Sequence, residues 1–519
     1  MHRLLDLALA HPRKLALGLG ALAATGFEPL GLWPLTLLAL AGLIALIRPA
    51  ASWKQAALIG WCFGVGHFTI GNNWIATAFT YQANMPAWLG WVAVVLLSFY
   101  LAVYPALAAL AGWLARRSVP GMVLALAGGW IVSEWLRSWV FTGFAWNPLG
   151  VAALGGFERP GLALLLPWLG TYALSGLVVL LAGCWWAAAA RSKRDPRGLA
   201  LVLAPLAAVL LPQLSNPPQT LTERRYTLVQ PDIRQEILND PAWFEAQYQR
   251  LAALSKGQGE RLVLWPESGV PDYLRDGYPE RYYLDTYAAD PALARRRLGL
   301  AIGPDAMLLT GTVDLEIGQG RAIGARNSVT ALDGSGTIRA GYAKAHLVPY
   351  GEYLALRWLL EPLGVERLVP GGIDFWPGPG PQTLDLGRFG KAGLQICYEI
   401  IFSGQVVDPD KRPDFLFNPS NDGWFGAWGP PQHLAQARLR AIEEGLPVLR
   451  STTTGISAVV DGHGVVRQHI GRLEPGRLDG QVPAALAPTL FSRLGNLLPL
   501  GWAIVLLAAG VVASRRRKG

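Results

Sequence analysis

Hydrophobic positions are distributed unevenly along the chain, and their distribution predicts two kinds of structure. Residues 1 to about 215 form nearly continuous apolar blocks, whereas residues 220–487 mix apolar and polar positions as a globular domain does. A helix that crosses a membrane needs about 20 mostly apolar residues, with a range of roughly 17 to 25. The pattern therefore predicts a membrane protein that carries one domain outside the bilayer.

Eight apolar blocks are predicted as membrane spans, seven before the globular domain and one after it. They cover residues 14–27, 29–47, 55–80, 86–114, 119–140, 161–190, 198–214 and 497–514. A signal peptide is the competing interpretation of the short first block, but no clear small-residue cleavage site follows it. We therefore expect a membrane domain over residues 1–219, a globular domain over 220–487, and a last span with a basic tail over 488–519.

Short apolar runs and helical patterns are mixed within the globular domain. A strand is predicted at 226–230, and helical patterns cover 240–254 and 433–444. Further strand-like runs lie at 262–265, 298–302, 307–313, 328–332, 394–397, 415–417 and 456–460. Strands mixed with helices in this way indicate a layered α/β domain, which at roughly 270 residues is large enough for its own core.

Lysine and arginine residues beside the spans predict which side of the membrane the globular domain occupies. If the N-terminus is cytoplasmic, the inner segments hold fifteen such residues, whereas the outer short loops hold only Arg137 and Arg159. Positively charged loops stay on the cytoplasmic side, so both termini are predicted inside and the globular domain outside. Topology thus accounts for the net charge of +9, which gives no support for nucleic-acid binding.

The segment 134–150 at the outer end of the fifth predicted span is rich in aromatic residues. It begins with Glu134 and Arg137 and continues through glycines and a proline. Two interpretations are open, anchoring at the membrane surface and a role in shaping a lipid entrance. A transporter would need ionisable residues deep in its spans, and the sequence has almost none apart from this pair.

Cys397 is the one cysteine of the globular domain, and it ends the apolar run LQIC. Cys62 and Cys184 lie within predicted spans, so Cys397 has no disulfide partner in its own domain. In an outward-facing domain an unpaired thiol is either buried or kept free for use. A lone cysteine is often only a small buried hydrophobe, and catalytic use requires a base or cation beside it.

Several side chains of the globular domain could assist such a thiol. His346, His433 and His463 keep a Cys–His hydrolase open as a hypothesis, although no spacing selects one of them. One cysteine with scattered histidines gives no zinc-binding pattern, so no metal is expected. Carboxylates and a lysine that follow apolar runs, or lie in loops broken by proline and glycine, are better placed than these histidines to assist the thiol.

Two motifs supply these charges. WPES places Glu267 directly after an apolar run, and YAKAHLVPYGEY offers Lys344 and Glu352 in a loop broken by proline and glycine. A carboxylate in apolar surroundings can take a proton from a thiol. A lysine beside it can stabilise the negative oxygen that forms when a thiolate attacks a carbonyl.

The ordered motifs WPES, YAKAHLVPYGEY and QICYEIIF resemble the Glu–Lys–Cys triad of the nitrilase superfamily of carbon–nitrogen hydrolases. With seven spans before them, one after, and the long segments 134–150 and 417–458, the chain is similar to the apolipoprotein N-acyltransferase family over nearly its whole length. The resemblance implies a polytopic α-helical membrane domain and an extracytoplasmic nitrilase-like α-β-β-α sandwich. It implies Glu267 as general base, Cys397 as nucleophile and Lys344 as oxyanion stabiliser.

The resemblance also implies supporting residues. Glu352 matches a second glutamate that orients the lysine or assists proton transfer, and Tyr398 and Glu399 match the residues after the family's cysteine. Trp424 and Phe425 match a loop expected to contact acyl or lipid groups.

The opening of the globular domain departs from the family pattern. Residues 229–244 carry their tryptophan later than the family does, so Trp243 is matched to the family's lipid-binding tryptophan only by its neighbourhood.

The implied reaction moves the sn-1 acyl chain of a membrane phospholipid to Cys397 and then to the α-amine of the N-terminal S-diacylglyceryl-cysteine of an apolipoprotein. This is the last step of lipoprotein maturation, at the periplasmic face of the bacterial inner membrane. No cofactor is expected, because a thioester is already an activated acyl group. A membrane-anchored amidase or nitrilase with water as acceptor is the alternative enzyme, and a transporter is the non-enzyme alternative.

Overall fold

The computed structural model describes residues 11–81, 86–189, 196–211, 217–363 and 373–515. Residues 212–214 of the seventh predicted span lie outside the described residues. So do seven basic residues that enter the topology prediction, namely Arg3, Arg191, Lys193, Arg194, Arg516, Arg517 and Lys518.

Apolar helices form the membrane part. Serine side chains cap two of them, since Ser52 accepts a hydrogen bond from the Gln55 N–H and Ser118 from the Gly121 N–H. The helices are α1 (Pro12–Ala24), α2 (Trp33–Ile47), α3 (Trp53–Gly71), α4 (Leu89–Leu101), α5 (Val103–Leu114), α6 (Val119–Arg137), α7 (Leu166–Ala189), α8 (Pro196–Leu210) and, at the end of the chain, α12 (Leu497–Arg515).

Helical segments occupy all eight predicted span regions, with three differences in their course. The third predicted span stops being one helix at Gly71, and the fourth is divided at Ala102 into α4 and α5. The sixth is kinked where Gly170 adopts a positive φ of 71°. By length and composition, four segments in the described part of the chain can cross a membrane, namely Leu89–Leu114, Val119–Arg137, Leu162–Ala189 and Leu497–Arg515. The count of eight spans stays a prediction.

Glycines bring helices α1 and α3 into close contact. A Cβ atom added to Gly20 would lie 1.9 Å from the Phe63 carbonyl oxygen, and one added to Gly66 would lie 2.0 Å from that of Leu17. Small residues at such crossings let helix backbones approach closely, which is how apolar helices pack within lipid.

Two six-stranded sheets form the centre of the globular domain, with the orders β12-β1-β2-β3-β4-β5 and β11-β10-β9-β8-β7-β6. Neighbours β1, β2 and β3 are parallel, as are β7, β8 and β9. The strands are β1 (Leu221–Gln230), β2 (Arg261–Leu264), β3 (Ala306–Gly318), β4 (Arg321–Asp333), β5 (Ile338–Ala343), β6 (Thr383–Asp385), β7 (Lys391–Leu394), β8 (Phe415–Ser420), β9 (Val448–Thr452), β10 (Ser457–Val460), β11 (Val466–Ile470) and β12 (Gly476–Pro483).

Helices cover the outer faces of both sheets. Helices α9 (Phe244–Leu254) and α10 (Pro291–Ile302) pack on the first sheet, and α11 (Gly429–Glu444) packs on the second. Single helical turns lie at Ile75–Ala78, Gln235–Leu238, Arg357–Leu360 and Leu490–Leu494. The predicted α-β-β-α sandwich is confirmed.

One predicted strand is wrong. Residues 298–302 form the end of α10, which begins where the Asp290 carboxylate accepts hydrogen bonds from the Ala292 and Leu293 N–H groups. The apolar run is the buried face of this helix, because Leu298 and Ile302 are one helical turn apart and buried, while Leu300 between them is 75% exposed. Strands β5, β6, β9, β11 and β12 were not predicted.

Helix α11 lies between the second sheet and the membrane helices. Its residues Leu434, Ala437 and Ala441 belong to the core of the sandwich. Ala435, Leu439 and Ile442, on another face, belong to the core of the helical bundle. The globular domain and the membrane helices therefore share this one helix as a common buried layer.

Candidate active site

Cys397 lies three residues beyond strand β7 and begins the 3-10 turn Cys397–Ile401. Its φ of +51° is unusual for a residue other than glycine, and only 4% of the side chain is exposed. Burial raises the pKa of the thiol above its ordinary value; the charge of Glu267 adds to this rise, and that of Lys344 opposes it. The Cys397 side chain is therefore a protonated thiol whose pKa depends on the charges of both Glu267 and Lys344.

Glu267 follows strand β2 in the first sheet and faces the second sheet. Its Oε1 atom accepts a hydrogen bond of 2.7 Å from Asn327 Nδ2, and its Oε2 atom accepts one of 2.7 Å from the Asn421 N–H. Asn421 directly follows strand β8, so the carboxylate is held between the two sheets. This fixes its two oxygens at the carboxyl ends of parallel strands, where such folds mount their sites.

Lys344 follows strand β5 and is 1% exposed. Its Nζ atom lies 3.1 Å from Glu352 Oε1, 3.0 Å from Glu352 Oε2 and 3.7 Å from Glu267 Oε1. Burial alone would lower the pKa of the ammonium group, but Glu352 and Glu267 outweigh burial and raise it. Lys344 is therefore held as a cation between two carboxylates.

Asn327 links the carboxylates of Glu267 and Glu352. It was not identified from the sequence. Its Nδ2 group donates to Glu267 Oε1 at 2.7 Å and to Glu352 Oε1 at 2.8 Å. Glu352 also accepts a 2.7 Å hydrogen bond from the Val348 N–H. A single asparagine in the middle of strand β4 carries no local signal of this role, because both partners are distant in sequence.

Glu399 connects the loop that follows Lys344 to the turn that carries Cys397. Its Oε1 atom accepts hydrogen bonds from the Tyr342 hydroxyl and the Ala345 N–H, both at 2.7 Å, and from the His346 N–H at 3.1 Å. Its Oε2 atom accepts one of 2.7 Å from the Ile396 N–H. Burial raises its pKa to about 7, although these donors oppose the rise. Glu399 therefore holds the loop after Lys344 and the start of the Cys397 turn together through hydrogen bonds to both.

Two further predicted residues lie against the membrane part. Tyr398 donates a 3.2 Å hydrogen bond to the Gly143 carbonyl oxygen. The ring of Phe425 packs 4.8 Å from that of Trp74 and 5.6 Å from that of Trp146, between centroids. The structure thus places both residues at the junction of the globular domain with the helices.

The two predicted tryptophans have different surroundings. The ring of Trp424 lies 5.8 Å from that of Tyr81, at the same junction. Trp243 stands just before α9 with 46% of its surface exposed. Its expected role in lipid binding stays a prediction.

His433 is fully buried behind the nucleophile. Its Nε2 atom lies 3.0 Å from the Cys397 carbonyl oxygen, and its Nδ1 atom lies 3.1 Å from Asp422 Oδ1 and 3.0 Å from Arg450 Nη2. Burial and then Arg450 lower its pKa, although Asp422 opposes them. His433 therefore contacts the backbone of Cys397, whereas a Cys–His hydrolase needs an imidazole at the thiol.

The other two histidines lie in different settings. His346 stacks on Phe402 with ring centroids 4.1 Å apart, and the His463 N–H donates to Asp461 in a turn. The geometry therefore favours a carboxylate over an imidazole as the base for Cys397.

Glu134 and Arg137 are buried and hold the segment that follows α6. Glu134 Oε1 accepts hydrogen bonds from the Leu149 N–H at 2.8 Å and from Trp130 Nε1 at 2.9 Å. Arg137 Nη1 donates to the carbonyl oxygens of Phe144 and Trp146 at 3.0 and 2.8 Å. These contacts favour structural anchoring, since both side chains bind backbone groups of the loop that follows them.

Comparison with known proteins matches both parts of the chain. Residues 19–184 match the family model described as the apolipoprotein N-acyltransferase N-terminal domain, and residues 226–487 match that described as carbon-nitrogen hydrolase. Among solved structures, a mutant of the Nesterenkonia AN1 amidase from the nitrilase superfamily matches at 20% identity, covering 53% of this chain and 95% of that one, with a TM-score of 0.36.

Curated relatives match over nearly the full length. Apolipoprotein N-acyltransferases of Rhodopseudomonas palustris and Bradyrhizobium diazoefficiens are 33% and 35% identical, each covered over 97% of this chain and over 95% and 94% of their own lengths. That of Caulobacter vibrioides is 34% identical over 97% of this chain and 94% of its own length. On these matches, and with the helical part and sandwich described above, the chain belongs to the apolipoprotein N-acyltransferase family.

Proposed function

We propose that Glu267, Lys344 and Cys397 carry out lipoprotein N-acylation through a thioester on Cys397. The observation that carries the proposal is the buried cluster in which Lys344 lies 3.7 Å from Glu267 while both charges act on the Cys397 thiol. A base, a cation and a nucleophile are thereby assembled at one place.

In the first step Glu267 takes the thiol proton as the sulfur attacks the sn-1 ester carbonyl of a phospholipid. The Lys344 ammonium stabilises the negative oxygen of the tetrahedral intermediate. When the carbon–oxygen bond breaks, Glu267 returns the proton to the departing oxygen, and lysophospholipid leaves. The acyl chain remains on Cys397 as a thioester.

In the second step the α-amine of the diacylglyceryl-cysteine of an apolipoprotein attacks the thioester carbonyl. The amine loses a proton to Glu267, the carbon–sulfur bond breaks, and the sulfur regains that proton. The products are an N-acyl amide and the original thiol. Glu352, which contacts Lys344, keeps the ammonium in place through both steps.

The location follows from the same chemistry. Both substrates are lipids, so the site must lie at a membrane surface, and helices precede and follow the globular domain. The distribution of basic residues supports a periplasmic domain with both termini in the cytoplasm. A hydrolase using water as acceptor would need no such bundle, and family membership favours transfer over hydrolysis.

The test is mass spectrometry of Cys397 peptides after the purified protein is incubated with phospholipid. We expect a hydroxylamine-sensitive acyl adduct on Cys397. Acylation at position 397 should fall at least about 10³-fold in Cys397→Ser and Glu267→Gln, since triad members act as a unit. Cys184→Ser, which changes a cysteine of α7, is the matched control and should keep the adduct. An unmodified thiol in folded, lipid-bound protein would contradict the proposal.

A further inference from the structure

The peptide unit between Cys397 and Tyr398 is held from one side. Its carbonyl oxygen lies 3.0 Å from His433 Nε2 and, in a longer contact, 3.5 Å from Asn418 Nδ2. The N–H of the same unit, on Tyr398, makes no hydrogen bond among the described residues. In a planar trans peptide the C=O and N–H groups point in opposite directions. A group that fixes the carbonyl therefore also fixes where the Tyr398 N–H points.

The surroundings of His433 decide which ring nitrogen carries the proton. A carbonyl oxygen only accepts, so Nε2 must donate to Cys397. Nδ1 lies between the Arg450 guanidinium at 3.0 Å, which only donates, and Asp422 Oδ1 at 3.1 Å, which only accepts. The contacts therefore require a proton on Nε2, whichever state Nδ1 is in. Asp422 secures this arrangement by accepting from Arg450 Nη2 at 2.8 and 2.7 Å.

The membrane part supports the ring of His433 directly. Trp146, in the segment after α6, packs with its ring centroid 5.1 Å from that of His433. Its Nε1 group donates a 2.8 Å hydrogen bond to Gln432 Oε1, on the neighbouring residue of α11. The next residue, Asn147, donates through its N–H to Gln436 Oε1 at 3.2 Å. Contacts from the helical bundle thus fix the part of α11 that carries His433.

The backbone at Cys397 needs such support. With a φ of +51°, a residue other than glycine is in a sparsely populated, strained conformation. Without the shorter contact from His433, only the 3.5 Å contact from Asn418 holds the carbonyl, so the peptide unit can rotate toward a more relaxed state and the Tyr398 N–H would turn with it.

We propose that His433 is a positioning residue that holds the Cys397–Tyr398 peptide so that the Tyr398 N–H faces the oxyanion beside Lys344. Trp146 makes this function depend on the membrane part. The inference rests on the proposed thioester mechanism and adds a residue that touches neither substrate nor sulfur.

The test compares two substitutions of matched chemistry. In His433→Gln the side-chain NH₂ extends to the place of Nε2 and can donate to the Cys397 carbonyl. In His433→Asn it reaches only to the place of Nδ1. We expect His433→Asn to slow single-turnover acylation of Cys397 about 10²-fold, with an unchanged KM for phospholipid, because losing an oxyanion donor costs 10² to 10³ in kcat. His433→Gln should recover most of that loss.

Alkylation of Cys397 by iodoacetamide separates positioning from general damage, since this reaction forms no oxyanion. We expect both variants and the control His463→Leu to alkylate at the rate of the unsubstituted protein. Trp146→Phe keeps a ring against His433 but loses the bond to Gln432, and should slow acylation by about 3- to 10-fold, the worth of one hydrogen bond.

Equal acylation by His433→Asn and the unsubstituted protein would overturn the inference. So would a loss in which alkylation falls in parallel with acylation, and so would equal rates in the Gln and Asn variants. If the unsubstituted protein forms no thioester at all, the proposed function itself fails, and the inference falls with it. If His433→Asn does not fold, the acylation rate of Trp146→Phe is compared with that of Cys184→Ser. Equal rates in these two variants would then overturn the inference.

Discussion

At the scale of single residues, the site is a set of buried charges that hold one another. Lys344 lies within 3.7 Å of oxygens from both Glu267 and Glu352, and Asn327 donates to both carboxylates. A buried cation with two anions needs such partners, because removing any one leaves uncompensated charge. The cluster carries a net negative charge next to the thiol, which favours the protonated form of Cys397.

The raised pKa of Cys397 gives a prediction about pH. An ordinary cysteine has a pKa near 8.5, so its alkylation rate levels off above about pH 9. Because burial, and then Glu267, raise the pKa of Cys397, its thiolate fraction should still be growing at that point. We expect the rate of alkylation by iodoacetamide to keep rising from pH 7 to 10, measured by mass spectrometry, while that of a short unstructured peptide with one cysteine levels off. A plateau below pH 8.5 would contradict the assignment.

At the scale of elements, helix α11 joins the two parts of the molecule with charged side chains as well as apolar ones. Arg440 donates to the Ile401 carbonyl oxygen and to the Thr171 hydroxyl of α7. Glu443 accepts from the Thr171 N–H at 2.7 Å and from the Ser403 hydroxyl at 2.8 Å. Buried polar contacts of this kind specify one arrangement, since any shift leaves charges unpaired.

Arg438 of α11 offers a test of this junction. Its guanidinium donates to four carbonyl oxygens, those of Gly464, Gly155, Gly156 and Arg159. Arg438→Leu removes all four hydrogen bonds, two of them buried and two partly buried, and each fully buried group left unsatisfied costs about 1–3 kcal/mol. We expect a marked fall in the unfolding temperature in detergent, together with loss of acylation.

Arg388→Leu is the matched control, because Arg388 is an exposed arginine paired with Glu260 at 3.3 Å. Exposed pairs contribute about 0 to 1 kcal/mol, so its unfolding temperature should change little. Equal shifts in the two variants would show that α11 does not stabilise the junction through Arg438.

At the scale of the whole molecule, the membrane helices do more than tether the globular domain. The loop after α6 reaches Tyr398 and His433, and α11 is buried between sheet and bundle. The side of the membrane on which the globular domain lies then decides which substrates it meets.

The predicted topology can be tested with single cysteines in a protein whose three natural cysteines are replaced by serine. Ser335→Cys lies in an exposed turn of the globular domain, and Ala51→Cys lies in the exposed loop between α2 and α3. We expect a membrane-impermeant maleimide to label Ser335→Cys in intact spheroplasts and Ala51→Cys only after lysis, because basic residues flank the second loop. The opposite labelling would place the site in the cytoplasm.

The three residues of the proposed triad could be singled out from the sequence because each follows a recognisable run or motif. Glu267 and Cys397 stand just beyond apolar strands, and Lys344 begins a loop broken by proline and glycine. A motif at the end of a strand can be recognised from the sequence alone, because it does not depend on which strands are neighbours in the sheet. The α/β class of the domain was predictable for the same reason.

Contacts between distant segments were not predictable from the sequence. Asn327 and His433 act through partners that lie far from them in sequence, and no local pattern marks them. Strand β12 was missed because it alternates exposed positions at the edge of its sheet, and 298–302 was assigned to a strand because a short apolar run fits a helix equally well.

The pairing of the first strand with the last has a consequence for how the protein is made. Strand β12 lies against β1, with Leu221 opposite Pro483 and Gln230 opposite Gly476. The sheet cannot be completed until nearly all of the globular domain has been synthesised. During synthesis one edge of β1 therefore stays unpaired until β12 has been made. Premature release of the nascent chain would leave that edge exposed, and an exposed sheet edge can pair with another chain and aggregate. Once β12 arrives, the chain enters and leaves the domain at one side, and both connections to the bilayer start from neighbouring strands.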